Sequence, residues 1–107
     1  MTRIALLATA AALSLAVFSG SANAASFNCY KARSHTEAVI CDNPRLSDLD
    51  TQMSVAYFTA LHRLHGWRRA HLQADQVRWL GRRNSCNASV GCLFHAYNDR
   101  LSRFGSY

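Results

Sequence analysis

The sequence predicts a small all-α protein: a disulfide-stapled bundle of three to four helices that follows a cleaved signal peptide. Apolar residues recur at helical spacing, and no stretch alternates polar and apolar residues as a strand does. All four cysteines lie beyond residue 24, where a small domain needs covalent support. A chain of 107 residues has room for one such domain.

Residues 1–24 have the features of a secretory signal peptide. Arg3 precedes an apolar stretch from Ile4 to Phe18, and Ala22 and Ala24 form a small-residue A-x-A exit. A membrane-spanning helix needs about 20 apolar residues and basic flanking on its far side, so we expect no membrane span and cleavage after Ala24. No cysteine lies at that cut for a lipid anchor. The predicted domain covers residues 25–107, in the periplasm or secreted.

The four cysteines are predicted to form disulfides, as an even number usually does in a small exported chain. Zinc sites favour paired C-x2-C spacing and redox sites favour C-x-x-C, and neither spacing occurs. Of the three possible pairings we favour the local one, Cys29–Cys41 and Cys86–Cys92, because turn residues separate Cys86 from Cys92. Loop-closure entropy gives about 3 kcal/mol for the first disulfide and about 2 kcal/mol for the second.

The longest helical pattern predicts a helix over about residues 48–65. Its apolar face consists of Leu49, Met53, Ala56, Tyr57, Ala60, Leu61 and Leu64. Ser47 is the predicted N-cap, Asp50 lies in the first turn, and Gly66 is the predicted stop. A shorter helix is expected earlier, where Ser34 and Glu37 form a capping box.

Two further patterns predict helices on either side of a turn. One pattern contains Leu72, Gln76, Trp79, Leu80 and Arg83, and the other contains Leu93, Ala96, Tyr97, Leu101 and Phe104. The residues between them are rich in Asn, Ser and Gly, which favours a turn. A Cys86–Cys92 disulfide would close these two helices into an αα-hairpin.

Three ordered phrases of the chain resemble a known family. They are Ile40–Cys41 with Pro44, Leu46 and Leu49–Asp50; Gln76 with Trp79–Leu80, Arg83 and Cys86; and Cys92–Leu93 with Tyr97 and Arg100. The chain beyond residue 24 thereby resembles the LprI-type lysozyme-inhibitor domain family of bacterial exported proteins. The resemblance implies an all-helical, disulfide-bonded envelope protein and, as for the family's namesake, inhibition of lysozyme. Unlike the namesake, this chain lacks a lipidation cysteine.

The sequence indicates no catalytic site and no cofactor. A glycosidase needs two carboxylates that flank a cleft, and three of the six acidic residues here suit helix caps or first turns. A cysteine nucleophile would need a free thiol. His62, His65 and His71 cluster and could share a metal, but Leu61 and Leu64 occupy the buried face. We therefore expect exposed histidines and no metal.

Four polar residues lie on or beside the apolar stripes: Asp50, Gln76, Arg83 and Arg100. They form either a polar binding patch or a buried structural network. We favour the structural interpretation, in which Asp50 pairs with one or both arginines and Gln76 is hydrogen-bonded nearby.

The segment around Gly66 is the candidate partner-binding surface. Trp67 either packs in the core or, if exposed, anchors an interface, with Arg68 and Arg69 supplying charge. The predicted domain keeps eleven of the twelve basic residues and all six acidic ones, a net charge of +5. In an exported protein such charge favours an acidic protein or an anionic envelope component over nucleic acid. We expect a non-catalytic binding module, with a muramidase inhibitor as the alternative.

Overall fold

The computed structural model describes residues 25–32 and 34–107 of the chain. These residues form four α-helices: α1 (His35–Asp42), α2 (Pro44–Arg63), α3 (Gly66–Ser85) and α4 (Val90–Arg103). Two short 3-10 helices, Cys29–Lys31 and Phe104–Ser106, flank them. The described part of the chain contains no strand, which confirms the all-α prediction. The predicted signal peptide and its cleavage position lie outside the described residues.

Both predicted disulfides are confirmed. Cys29 joins Cys41, with Cα atoms 5.8 Å apart, and Cys86 joins Cys92, with Cα atoms 5.6 Å apart. The first disulfide holds the segment before α1 against the end of α1. The second closes the turn between α3 and α4, where Asn87 adopts a positive φ of 52°.

Three of the four described α-helices, α1, α2 and α4, start at side-chain caps, and α3 starts without one. Ser34 accepts a hydrogen bond from the Glu37 amide, as the capping box predicts. Helix α2 begins one turn earlier than predicted, because Asn43 is its cap and Pro44 occupies the first helical position. The prediction that Ser47 caps this helix is wrong. Ser47 is instead buried inside α2 and donates to the Ile40 carbonyl at 2.7 Å, which joins α2 to α1.

The connection between α2 and α3 is shorter than the sequence indicates. Helix α2 ends at Arg63, and only Leu64 and His65 precede α3. Gly66 does not follow the end of α2 as a stop; it opens α3 with a φ of +60°. Only glycine adopts this conformation without steric cost, so Gly66 permits the sharp change of direction between the two helices.

The core lies between the inner stripes of the four helices. Helices α1 and α4 pack on α2, and α3 packs against both α2 and α4. Ile40, Leu46, Leu72 and Leu93 are fully buried. Trp79 of α3 stacks edge-on against Tyr97 of α4, with ring centroids 5.2 Å apart. The face of α3 that carries Arg68, Arg78 and Arg82 is thereby left on the outside, beside the C-terminal end of α4.

Candidate functional site: a basic face and an arginine cavity

Asp50 lies in a closed network of partners at the centre of the bundle. One carboxylate oxygen accepts a hydrogen bond from the Tyr97 hydroxyl at 2.6 Å and lies 3.6 Å from the Arg83 guanidinium. The other oxygen accepts from the Ser26 amide at 2.7 Å and from the Ser26 hydroxyl. Asp50 is fully buried, and each of its oxygens has partners. Burial, followed by the neighbouring Asp50 charge, raises the pKa of Tyr97, which keeps the phenol a hydrogen-bond donor.

Arg100 lies in a second network, which is open. Its Nε donates to Gln76 at 3.0 Å, and its Nη1 donates to the Tyr107 hydroxyl at 3.0 Å. Gln76 in turn donates to the Met53 sulfur at 3.0 Å. The Nη2 atom of Arg100 is buried and has no hydrogen-bond partner among the described residues. This network differs from the first in having one strong donor left over.

The four polar residues that lie on or beside the apolar stripes belong to two separate networks in the structure. Asp50, Gln76, Arg83 and Arg100 are all buried. Arg83 is the arginine that pairs with Asp50, whereas Arg100 lies in the separate network with Gln76. The α4 residue that reaches Asp50 is Tyr97, three positions before Arg100.

The predicted surface around Gly66 is divided by the structure. Trp67 is 75% exposed, which excludes a core packing role, and the Arg68 guanidinium lies over its ring at 5.6 Å. Arg69 is partly buried and donates to the Leu61 carbonyl in the last turn of α2. Arg69 thus stabilises the end of α2. All three lie in the first turn of α3, not in a loop as predicted.

Trp67 and Arg68 are one end of a longer exposed stripe. Residues at intervals of three or four along α3 share one side of the helix, and the C-terminal end of α4 adds one more arginine. We call this surface the basic face; it consists of Trp67, Arg68, His71, Arg78, Arg82 and Arg103, all exposed. One cleft lies at the Trp67 end of the basic face, and a second cleft lies at its arginine end. Ser106 and Tyr107 line both clefts, so the surface is continuous.

The arginine end of the basic face opens into a cleft of about 310 Å³. We call it the arginine cavity; it is lined by His71, Asp75, Arg78, Arg82, Arg100, Arg103, Ser106 and Tyr107. Four arginines thus surround a single carboxylate. Arg100 alone among these arginines is buried, at 2% exposure, and it is the residue with the unpartnered Nη2.

Asp75 is the acidic residue of the arginine cavity, and neighbouring groups hold it in its charged form. The Tyr107 hydroxyl donates to one oxygen at 2.7 Å, and Arg78 binds the other. The Nε2 atom of His71 lies 3.4 Å from the Oδ2 atom of Asp75. The hydrogen bond from Tyr107, with a further contribution from Arg78, lowers the pKa of Asp75 although partial burial opposes the shift. The Asp75 charge is therefore already partnered. Of the other three arginines in the cavity, Arg103 binds Asp99, and Arg82 and Arg100 have no carboxylate partner among the described residues.

A larger groove of about 570 Å³ runs between α2 and α3. Its walls include Met53, Tyr57 and Leu80, and its rim carries the exposed side chains of Phe58 and Val77. None of the residues that line this groove belongs to the basic face.

The three clustered histidines face solvent, as the helical pattern predicts. His62, His65 and His71 are all exposed. Over residues 25–32 and 34–107, no three His, Cys, Asp or Glu side chains come close enough to hold a metal ion. No described helix combines the length and apolarity that crossing a membrane requires.

Comparison of the chain with protein-family models, with curated proteins and with solved structures finds no match in any of the three.

Sequence reasoning missed several residues of these sites. Ser26 lies just before the Cys29–Cys41 disulfide and meets Asp50, 24 positions further along the chain, only in the folded structure. Tyr107 and Asp75 are 32 positions apart and meet only in the folded chain. The helical pattern places Tyr97 on the apolar face of α4, three positions before Arg100. That spacing puts both residues on one face, but it does not show which of them meets Asp50.

Proposed function

We propose that this protein is a non-catalytic binding module of the bacterial envelope, periplasmic or secreted, and that its basic face binds an acidic surface of a partner protein. The observation that supports this most strongly is the continuity of exposed Trp67 and Arg68 with the arginines of α3 and α4. Tryptophan and arginine are the residues most enriched at the energetic centres of protein interfaces. Exposed guanidinium groups match carboxylates in geometry and in charge.

Export is part of the proposal. All four cysteines are paired, and disulfides persist in oxidising compartments. The residues that precede the domain have the signal-peptide pattern described above. Membership of the LprI-type family belongs to the same proposal and rests on the three ordered phrases.

Binding to a synthetic acidic polypeptide tests the charge requirement directly. We expect poly-L-glutamate to bind the oxidised protein with an affinity that falls steeply across a salt series. Arg68→Ala and Arg82→Ala should slow association and flatten the salt dependence. Arg45→Ala removes an equal charge from α2, outside the basic face, and is the matched control. If all three variants behave alike, net charge accounts for binding and the basic face does not.

Trp67 has its own test with a protein partner. In a pull-down from bacterial envelope, proteins retained by wild-type protein should be lost with Trp67→Ala, and the affinity of a purified partner should fall by about 2 kcal/mol if Trp67 anchors the interface. Val77→Ala, an exposed apolar change elsewhere on α3, is the control. Full retention by the Trp67 variant would place the contact on another surface.

The alternative function is inhibition of a lysozyme-type muramidase. In its favour, such an enzyme has a cleft with two carboxylates, and Trp67 with Arg68 forms an exposed pair that could enter it. Against it, many muramidases are strongly basic and would be repelled by a protein of positive net charge. An inhibition assay with one acidic and one basic muramidase separates the cases. Inhibition of the basic enzyme that survives Trp67→Ala and Arg68→Ala would contradict a role for the basic face.

A further inference from the structure

We propose that the arginine cavity is a specific binding site for a phosphate-class oxyanion, and that the anion supplies the partner that Arg100 lacks. This inference does not depend on the proposed protein partner. It concerns a small-molecule site with its own ligand chemistry, at the end of the basic face opposite Trp67.

Arg100 is a buried charged residue with an incomplete set of hydrogen bonds. A buried polar group without a hydrogen bond is uncommon and costly, more so when the group is charged. Arg100 is 2% exposed, and the described residues provide it with neutral partners, Gln76 and the Tyr107 hydroxyl. The Cζ atom of Arg100 lies 4.6 Å from the ring centroid of Phe104 and 5.7 Å from that of Tyr107. What Arg100 still lacks is an acceptor for Nη2.

The missing acceptor is an anion, because the cavity beside Arg100 carries an excess of positive charge. Arg100 shares the cavity with Arg78, Arg82 and Arg103. Asp75, the one carboxylate there, is held by Tyr107 and Arg78. Arg103 binds Asp99 at 3.1 Å on the outer side of α4. Arg82 contributes an exposed guanidinium to the same cavity. The cavity therefore combines positive charge with unfilled donors, which an anion stabilises.

The arrangement of the arginines around the cavity suits a phosphate group. Arg78 and Arg82 reach the cavity from α3, and Arg100 and Arg103 reach it from α4. A phosphate group has more oxygens than the two of a carboxylate, so it can accept from guanidinium groups of both helices at once. A cleft of about 310 Å³ has room for a phosphate group, whether free or carried by a larger compound. The ligand is therefore inorganic phosphate or the exposed phosphate group of a larger compound. Both sources present the same chemistry to Arg100 and Arg82.

Binding of inorganic phosphate to the oxidised full-length protein is the test, measured by calorimetry and by side-chain NMR at constant ionic strength. We expect saturable binding that shifts the Arg100 Nε–H resonance. Arg78→Gln combined with Arg82→Gln should weaken phosphate binding at least about tenfold, because each removes a charge-assisted contact. Both side chains are exposed, so the double variant should still fold.

Two controls separate this site from general effects. Lys31→Gln combined with Arg45→Gln removes the same charge outside the cavity and should leave phosphate affinity unchanged. Trp67→Ala should also leave it unchanged, so loss of protein binding and loss of phosphate binding are distinguishable.

Glycerol 3-phosphate is the second ligand: tighter binding than inorganic phosphate indicates a larger phosphate compound, and weaker binding indicates the free ion. Absence of saturable binding, or equal weakening in both double variants, would overturn the proposal.

Discussion

The two buried polar networks in the described part of the chain differ in how completely their hydrogen bonds are satisfied. Around Asp50, every strong acceptor is used: Tyr97, Ser26 and Arg83 surround the carboxylate. Around Arg100, one strong donor is left unused, and the network leads outward to Tyr107 and the arginine cavity. A closed network holds helices in register. An open network that borders a charged cleft is prepared for a ligand.

The comparison has an electrostatic side as well. Asp50 and Arg83 compensate each other's charge inside the bundle. Arg100 has no carboxylate partner among the described residues and relies on a glutamine, a phenol and two aromatic rings. The first arrangement is complete within the described chain, whereas the second becomes complete when an anion enters.

The largest expected effect comes from breaking the closed network. Asp50→Ala would leave Arg83 buried without a counter-charge, so we expect the free energy of unfolding to fall by about 3 kcal/mol or more. Urea denaturation of the oxidised protein measures this loss. Asp48→Ala removes an exposed carboxylate from the same helix and should change the midpoint little. An unchanged midpoint for Asp50→Ala would show that the network contributes nothing to stability.

A smaller effect is expected from Arg100. Arg100→Met keeps a long apolar stem but removes an uncompensated charge, and its main cost is the acceptor left unpaired on Gln76, about 1 to 2 kcal/mol. The loss should therefore be smaller than for Asp50→Ala. Phosphate sharpens the comparison, because it should stabilise the wild type through the cavity but not Arg100→Met. If Arg100→Met costs as much as Asp50→Ala without phosphate, the two networks do not differ as described.

The smallest effect concerns Asp75 at the edge of the open network. The Tyr107 hydroxyl holds the pKa of Asp75 below its ordinary value of 3.8. A lowered pKa in the folded state means that the Asp75 charge stabilises the fold above about pH 4 and loses this effect as the pH falls through the folded-state pKa. In Tyr107→Phe the pKa of Asp75 should rise, which a carboxyl NMR titration measures.

Asp99 provides the internal control for that titration. Its pKa is also lowered, by the hydrogen bond from Arg103, which Tyr107→Phe leaves in place. Its titration should therefore stay where it is. A shift of Asp99 as large as that of Asp75 would indicate a general change in the electrostatics of the C-terminal end, not the loss of one hydrogen bond.

The sequence by itself determined the helical fold class and the αα-hairpin, and it favoured the local disulfide pairing and an inward position for Asp50, Gln76, Arg83 and Arg100. These features follow from spacing and turn chemistry, which act over a few residues. Helix ends were less well predicted, because Asn43 and Pro44 competed with Ser47 for the start of α2.

Only the tertiary structure decided which inner residues meet. Arg83 and Arg100 both lie on inner stripes. The relative positions of α2, α3 and α4 along their axes place Asp50 beside Arg83 and Tyr97, and they place Arg100 beside Gln76. The same packing turns Arg69 onto the end of α2 and brings Tyr107 to Asp75. Helical periodicity is a local property and identifies the buried face. The register between helices arises from contacts far apart in the chain, so the arginine cavity exists only once α3, α4 and the last residues have packed together.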